Sequence, residues 1–186
     1  MSRTILKEVP PPPSLPAPKH SSPLRESICF DWRELQELWD NGGKKVVRHY
    51  VKKHYLGSQA QTWLLRTKNI SLIKTYLQNH PEAGLFDEAE EMLMALRDKD
   101  CCLLYINNRP LRHHSLLMLF AENEIELLQT HIAKHPQNPF SRLELILLFE
   151  TKNLDLIQQY FQLHPEIAKD GNCKEKLKKF GLIHSN

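Results

Sequence analysis

The stretch Asn153–Glu166, "NLDLIQQYFQLHPE", decides how the rest of the chain is read. Leu156, Ile157, Tyr160 and Phe161 stand at i, i+1, i+4 and i+5, which lays one apolar stripe along a helix. The stretch then closes on His-Pro. Asn69–Glu82, "NISLIKTYLQNHPE", writes polar and apolar residues in the same order. One phrase used twice points to one structural unit used more than once.

Taking the terminal proline as an anchor, Pro81, Pro110, Pro136 and Pro165 close four copies, and Tyr55 holds that place in a degenerate first copy. The anchors lie 26, 29, 26 and 29 residues apart. One residue before them stand His54, His80, Arg109, His135 and His164; four before, Val51, Leu77, Ile106, Ile132 and Phe161. Five before come Tyr50, Tyr76, Tyr105, His131 and Tyr160, and eight and nine before come apolar pairs from Val46-Val47 to Leu156-Ile157. Twelve before the anchor, Gly43, Asn69, Asp98, Glu124 and Asn153 fall where a helix N-cap is needed, and short polar side chains accept from the free first-turn amides. Glu124 is a poorer cap, and Asn123 beside it is expected to serve instead. The basic residue before each anchor sits at the negative end of the helix dipole, and the proline after it disfavours helical continuation.

Ahead of each of these helices, termed B, runs a second apolar block: "DWRELQELW", "QTWLLRTK", "EEMLMALR", "HSLLMLFAE" and "SRLELILLFE". These read as helices A, the first opened by Asp31 and Glu34 in a capping-box-like pattern. Helices this short are marginal alone in water, so each A–B pair must bury its stripe on its neighbours. The expected fold is all-α: about five stacked helical hairpins, an α-solenoid, over residues 27–170. Residues 1–26 read as a disordered Pro/Ser-rich tail, with Lys7, Pro10 and Pro13 in a generic PxxP pattern. Residues 171–186 read as a capping helix, with Leu177 and Phe180 on its apolar side and Gly181 closing it.

Within a repeat, Leu143–Glu166, "LELILLFETKNLDLIQQYFQLHPE", resembles the helix-turn-helix of an ankyrin repeat. The Thr-Pro-Leu-His opening of that family and its glycine between the helices are missing, and the period is shorter than the ~33 residues of ankyrin. The resemblance implies helical hairpins without a β-finger and a protein-binding role. It carries over no catalytic residue.

The chain has 186 residues, 25% of them charged, and a net charge of +3, too mild to indicate a nucleic-acid partner by itself. Cys29, Cys101, Cys102 and Cys173 show no CxxC spacing and read as reduced thiols. The N-terminus lacks the apolar core of a secretory signal, and no apolar run approaches the ~20 residues that span a bilayer. A cytoplasmic chain is the expectation.

Chemistry is sparsely written. No GxSxG, phosphate-cradling glycine loop or DxDxDG occurs, so the reading is non-catalytic, with no cofactor. His131 and His135 are four apart, but the residues between them supply no glutamate for an HExxH frame, so no metal site is expected. The leading expectation is a protein-interaction module, a scaffold or adaptor. Its partner would meet the non-stripe positions of the B helices: Lys74, Gln78, Leu103, Leu104, Gln158 and Gln162. The alternative rests on residues 41–80, which carry eight Lys and Arg and no Asp or Glu. There Lys44, Lys45, Arg48, Lys52 and Lys53 would bind nucleic acid or another polyanion. Glu82, Asp87, Glu88, Glu90 and Glu91 follow as an acidic ridge, which suggests oriented docking or end-to-end self-association.

Overall fold

Asn69, Asp98 and Asn153 begin their helices as the sequence requires: each side-chain oxygen accepts from the amide three residues on, at 3.3, 2.9 and 2.9 Å. In the computed structural model, which describes residues 31–183, these caps open three of ten α-helices. The helices are α1 (Trp32–Val51), α2 (Ser58–Arg66), α3 (Ile70–Asn79), α4 (Asp87–Ala95) and α5 (Lys99–Ile106), then α6 (His113–Ala121), α7 (Ile125–Lys134), α8 (Arg142–Glu150), α9 (Leu154–Leu163) and α10 (Gly171–Lys179). A 3-10 turn, Ile167–Lys169, precedes α10. The readings of residues 1–26, including Lys7, Pro10 and Pro13, and of Cys29 lie outside the described residues.

One reversed residue turns each A helix into its B helix. Lys68, Arg97, Asn123 and Lys152 hold φ of 51°, 54°, 56° and 53°, a left-handed conformation that costs an ordinary residue about 1–2 kcal/mol. Asn123 therefore bends the chain and is not the cap expected of it. Glu124 takes the N-cap position of α7 without a side-chain bond. In the first hairpin the turn falls inside α1, at Gly43 (φ 65°, ψ −165°), so this residue breaks the helix and does not cap it in the manner of Asn69. A β-carbon on neighbouring Gly42 would come within 2.4 Å of Val46 Cγ2.

The helices stack in two layers. α2, α4, α6 and α8 pack in sequence as the A layer, and α3, α5, α7 and α9 as the B layer; α1 meets both α2 and α3. The stripe expected from the columns is the shared core: Leu72, Ile73, Cys101, Cys102, Leu127, Leu128, Leu156 and Ile157 are all buried. Burying each of the leucines and isoleucines contributes about 1.5–3 kcal/mol. Val46 departs, remaining 40% exposed, because no earlier hairpin lies beyond it among the described residues. Burial pushes the thiols of Cys101 and Cys102 up to about 12, so both are protonated and inert. At the far end Gly181 (φ 71°) closes α10: its N–H reaches the Lys178 carbonyl and that of Leu182 reaches Leu177, so both last-turn carbonyls are satisfied.

Candidate functional site

The tyrosine column explains itself once the B-to-A loops are seen. Leu56, Leu85, Leu111 and Phe140 each precede the N-cap of an A helix, and each is buried. Each donates its backbone N–H to the ring twenty residues later: to the hydroxyls of Tyr76 (3.3 Å), Tyr105 (3.2 Å) and Tyr160 (2.9 Å), and to Nδ1 of His131 (3.4 Å). An unpaired N–H there would cost about 1–3 kcal/mol. The column is therefore a set of buried acceptors that pins every loop to its own hairpin.

The histidines before the anchors do a different task from the one their helix-end position suggests. His80 and His135 are buried, and each Nε2 reaches a carbonyl of the preceding B helix, Val51 (2.8 Å) and Ile106. Burial lowers His80 below the ordinary imidazole value. The ring is a neutral donor between hairpins, and its bond replaces the expected cation–dipole interaction. The rings of the two columns also pack on one another, Tyr76 on His80 at 5.0 Å and Tyr160 on His164 at 4.5 Å.

A third set of polar residues lies buried on the A helices. Gln61 donates to the carbonyls of Leu56 (3.0 Å) and Gly84 (3.2 Å) and accepts from Phe86 N–H (2.9 Å). Glu90 accepts from the Tyr105 hydroxyl and the Arg112 amide, both at 2.8 Å. Glu144 accepts from Ser141 N–H as half of a capping box, and its other oxygen pairs with His113 Nδ1 at 2.8 Å. The expected acidic ridge is therefore broken. Glu90 is 1% exposed and faces inward. Glu82 accepts from Tyr55, Glu88 pairs with Arg66, and Asp87 pairs with Arg112 across hairpins.

Between the loops of the third to fifth hairpins lies a cleft of about 390 Å³ lined by Glu90, Arg109, Arg112, His113, His131 and Glu144. Here the repeat departs from its own rule twice. Arg109 stands where the neighbouring copies carry histidine, and His131 stands where they carry tyrosine. Because His131 Nδ1 accepts from Leu111, its proton is on Nε2. That N–H is buried without a partner, as is Nε of Arg109. Burial, with His135 nearby, pushes His131 down to about 4, so the ring is neutral at physiological pH. The two carboxylates are committed to backbone amides, while Arg112 and His113 are exposed at the mouth.

The residues singled out from the sequence lie elsewhere. Lys74 is held by Asp100 (2.7 Å) and Asp98 (3.6 Å) of the next hairpin, and Leu103 and Leu104 are half-buried against the core. Gln78, Gln158 and Gln162 are exposed, but α9 packs on α7, so the last two stand apart from the residues of α3 and α5. Of the basic set, Lys44, Lys45, Lys52 and Lys53 are exposed, while Arg48 turns inward to donate to Ser71 Oγ on α3. The shared face expected for Lys44, Arg48 and Lys52 thus loses its middle member. The cleft was missed because its members are scattered over four helices and the loop before α6. The replacement of histidine by arginine at position 109 and of tyrosine by histidine at position 131 were the visible signals.

Fold and cleft together define a class: a two-layer α-solenoid of short hairpins whose loops are pinned by buried ring acceptors. Compared with protein-family models, with curated proteins and with solved structures, the chain matches none. Among the described residues no helix is long and apolar enough to cross a membrane, and no three His, Cys, Asp or Glu side chains group to hold a metal ion.

Proposed function

We propose that the protein is a non-catalytic interaction module, a cytoplasmic scaffold or adaptor, which holds an extended segment of a protein partner in the loop-edge cleft. The observation that carries this is the double departure at Arg109 and His131. Tyr76, Tyr105 and Tyr160 in one column and His80 and His135 in the other spend polar atoms on the fold, while at Arg109 and His131 a buried N–H is left over. Departures from an otherwise self-consistent pattern concentrate at functional positions. Arg109 suits an acceptor on the partner, best a carboxylate, which a guanidinium engages through two parallel bonds, with Arg112 and His113, already shared with Asp87 and Glu144, at the mouth. His131 forms the floor.

The test restores the repeat. R109H/H131Y gives the third and fourth hairpins the residues their neighbours carry, so the fold is expected to hold. With immobilised extended peptides offered in acidic, amide and basic forms, the wild-type chain is expected to retain the acidic form and the double variant to bind it at least tenfold more weakly. Equal retention by the variant, or no preference for the acidic form, removes the reading.

A second reading, nucleic-acid or other polyanion binding, keeps one supporting observation: Lys44, Lys45, Lys52 and Lys53 are exposed and join no ion pair among the described residues. Retention on single-stranded nucleic acid should then fall steeply with salt and vanish when the four are changed to Glu. Retention indifferent to either would dismiss it.

A further inference from the structure

A solenoid ends well when its outermost unit turns a polar face to water. This one does not. Among the described residues, six of the seven large hydrophobic side chains left exposed belong to the first and last hairpins: Trp32 and Val46, then Leu143, Ile146, Leu154 and Leu163. Only Phe86 lies between them. The helix α10 covers the last hairpin incompletely, leaving a groove of about 780 Å³ against α8. Leu145, Phe149 and Ile167 line it, Ile146 stands 38% exposed beside them, and Arg142, Lys176 and Lys179 outnumber the carboxylates Asp170 and Glu175 around it.

The two ends also carry opposite charge. Residues 31–41 hold Asp31, Glu34, Glu37 and Asp40 against Arg33 alone. Residues 167–180 hold five lysines against Asp170 and Glu175. Trp32 at one end, beside Trp63 and Phe86, and the groove at the other are thus apolar surfaces flanked by charge, and the two charges are opposite in sign.

We infer that the chain associates head to tail with a second copy of itself: the acidic start of α1, led by Trp32, docks in the basic-rimmed groove between α8 and α10. The groove offers a further hairpin what each inner hairpin already gives its successor, an apolar face with ionic edges. Inside the stack that edge is visible as Lys74 with Asp100, Arg97 with Glu122 and Lys99 with Glu126. The contact joins two different surfaces, so it leads to chains or rings and not to a closed two-fold pair. High salt weakens it by screening the rims.

Sedimentation across a hundredfold range of concentration tests this with the full chain. Wild-type mass is expected to rise beyond that of a dimer. E34K/E37K and R142E/K179E, which change only exposed side chains, are each expected to fold and to stay monomeric. Mixed in equal amounts they should assemble again in alternation, because one pair of faces is intact and the other has its charges exchanged between the partners, a recovery that misfolded variants could not give. A wild-type chain that remains monomeric, a wild-type assembly that ends at a dimer, or a mixture that stays monomeric would each overturn the inference.

Discussion

In the second hairpin, Tyr76 takes the Leu56 N–H on its hydroxyl, and Gln61 beside it bridges to the next loop. In the fourth, His131 takes the Leu111 N–H on Nδ1, and its remaining hydrogen lies across the ring on Nε2, with nothing to receive it. A hydroxyl accepts and donates at one atom, whereas an imidazole places the two functions on opposite sides. The backbone is the same in both hairpins, yet only one of them has a donor to spare. A repeat can hold its fold through a substitution and be left with an unpartnered donor from the mismatch.

Leu72 and Leu128 lie in the cores of these two hairpins, both fully buried. Each changed to Ala should cost about 2–5 kcal/mol, measured by urea unfolding. Similar values are expected, because the hairpins differ at the loop edge and not in the stripe. A markedly cheaper Leu128 would mean that the fourth hairpin is loosely packed.

The next effect depends on pH. His131 is held down to about 4, below an unfolded value near 6.5. Between these the unfolded chain takes up a proton that the native ring refuses, so stability is lost as pH falls through that window. The loss is on the order of 3 kcal/mol in full. His80, also lowered, acts in the same direction. Comparing wild type with H131Y at neutral pH and near pH 4.5, the variant should lose distinctly less. Parallel losses would place the sensitivity elsewhere.

Tyr160→Phe removes the acceptor of the buried Phe140 N–H and should cost about 1–3 kcal/mol. The smallest effect lies at the caps. Asn153→Ala should cost about 1 kcal/mol, while Glu124→Asn should stabilise the fourth hairpin by about 0.5–1 kcal/mol, since Glu124 makes no side-chain cap bond. A loss at Glu124→Asn would show that the backbone there cannot place a cap.

Much of the fold was legible because the stripe, the Asn and Asp caps and the closing proline each repeat at fixed offsets. The loop column is written in the sequence too, but faintly. Leu56, Leu85, Leu111 and Phe140 all stand 25 residues before their anchors, but one apolar residue in a polar loop has no periodicity to mark it. The buried polar set was hidden by a slip: Gln61 and Glu90 lie 20 residues before the anchor, and Glu144 lies 21. Their partners include the backbone N–H groups of Phe86, Arg112 and Ser141, which no side-chain pattern encodes. Arg48 misled for a related reason, since helical spacing gives its face but not the Ser71 that draws it inward.

Everything rests on one bond made four times, and NMR reads it directly. The amides of Leu56, Leu85, Leu111 and Phe140 are expected to exchange slowly at neutral pH, and the nitrogen spectrum of His131 should show Nδ1 without a proton. Solvent-like exchange at those amides in a folded chain, or a His131 ring protonated at Nδ1, would contradict the shared architecture.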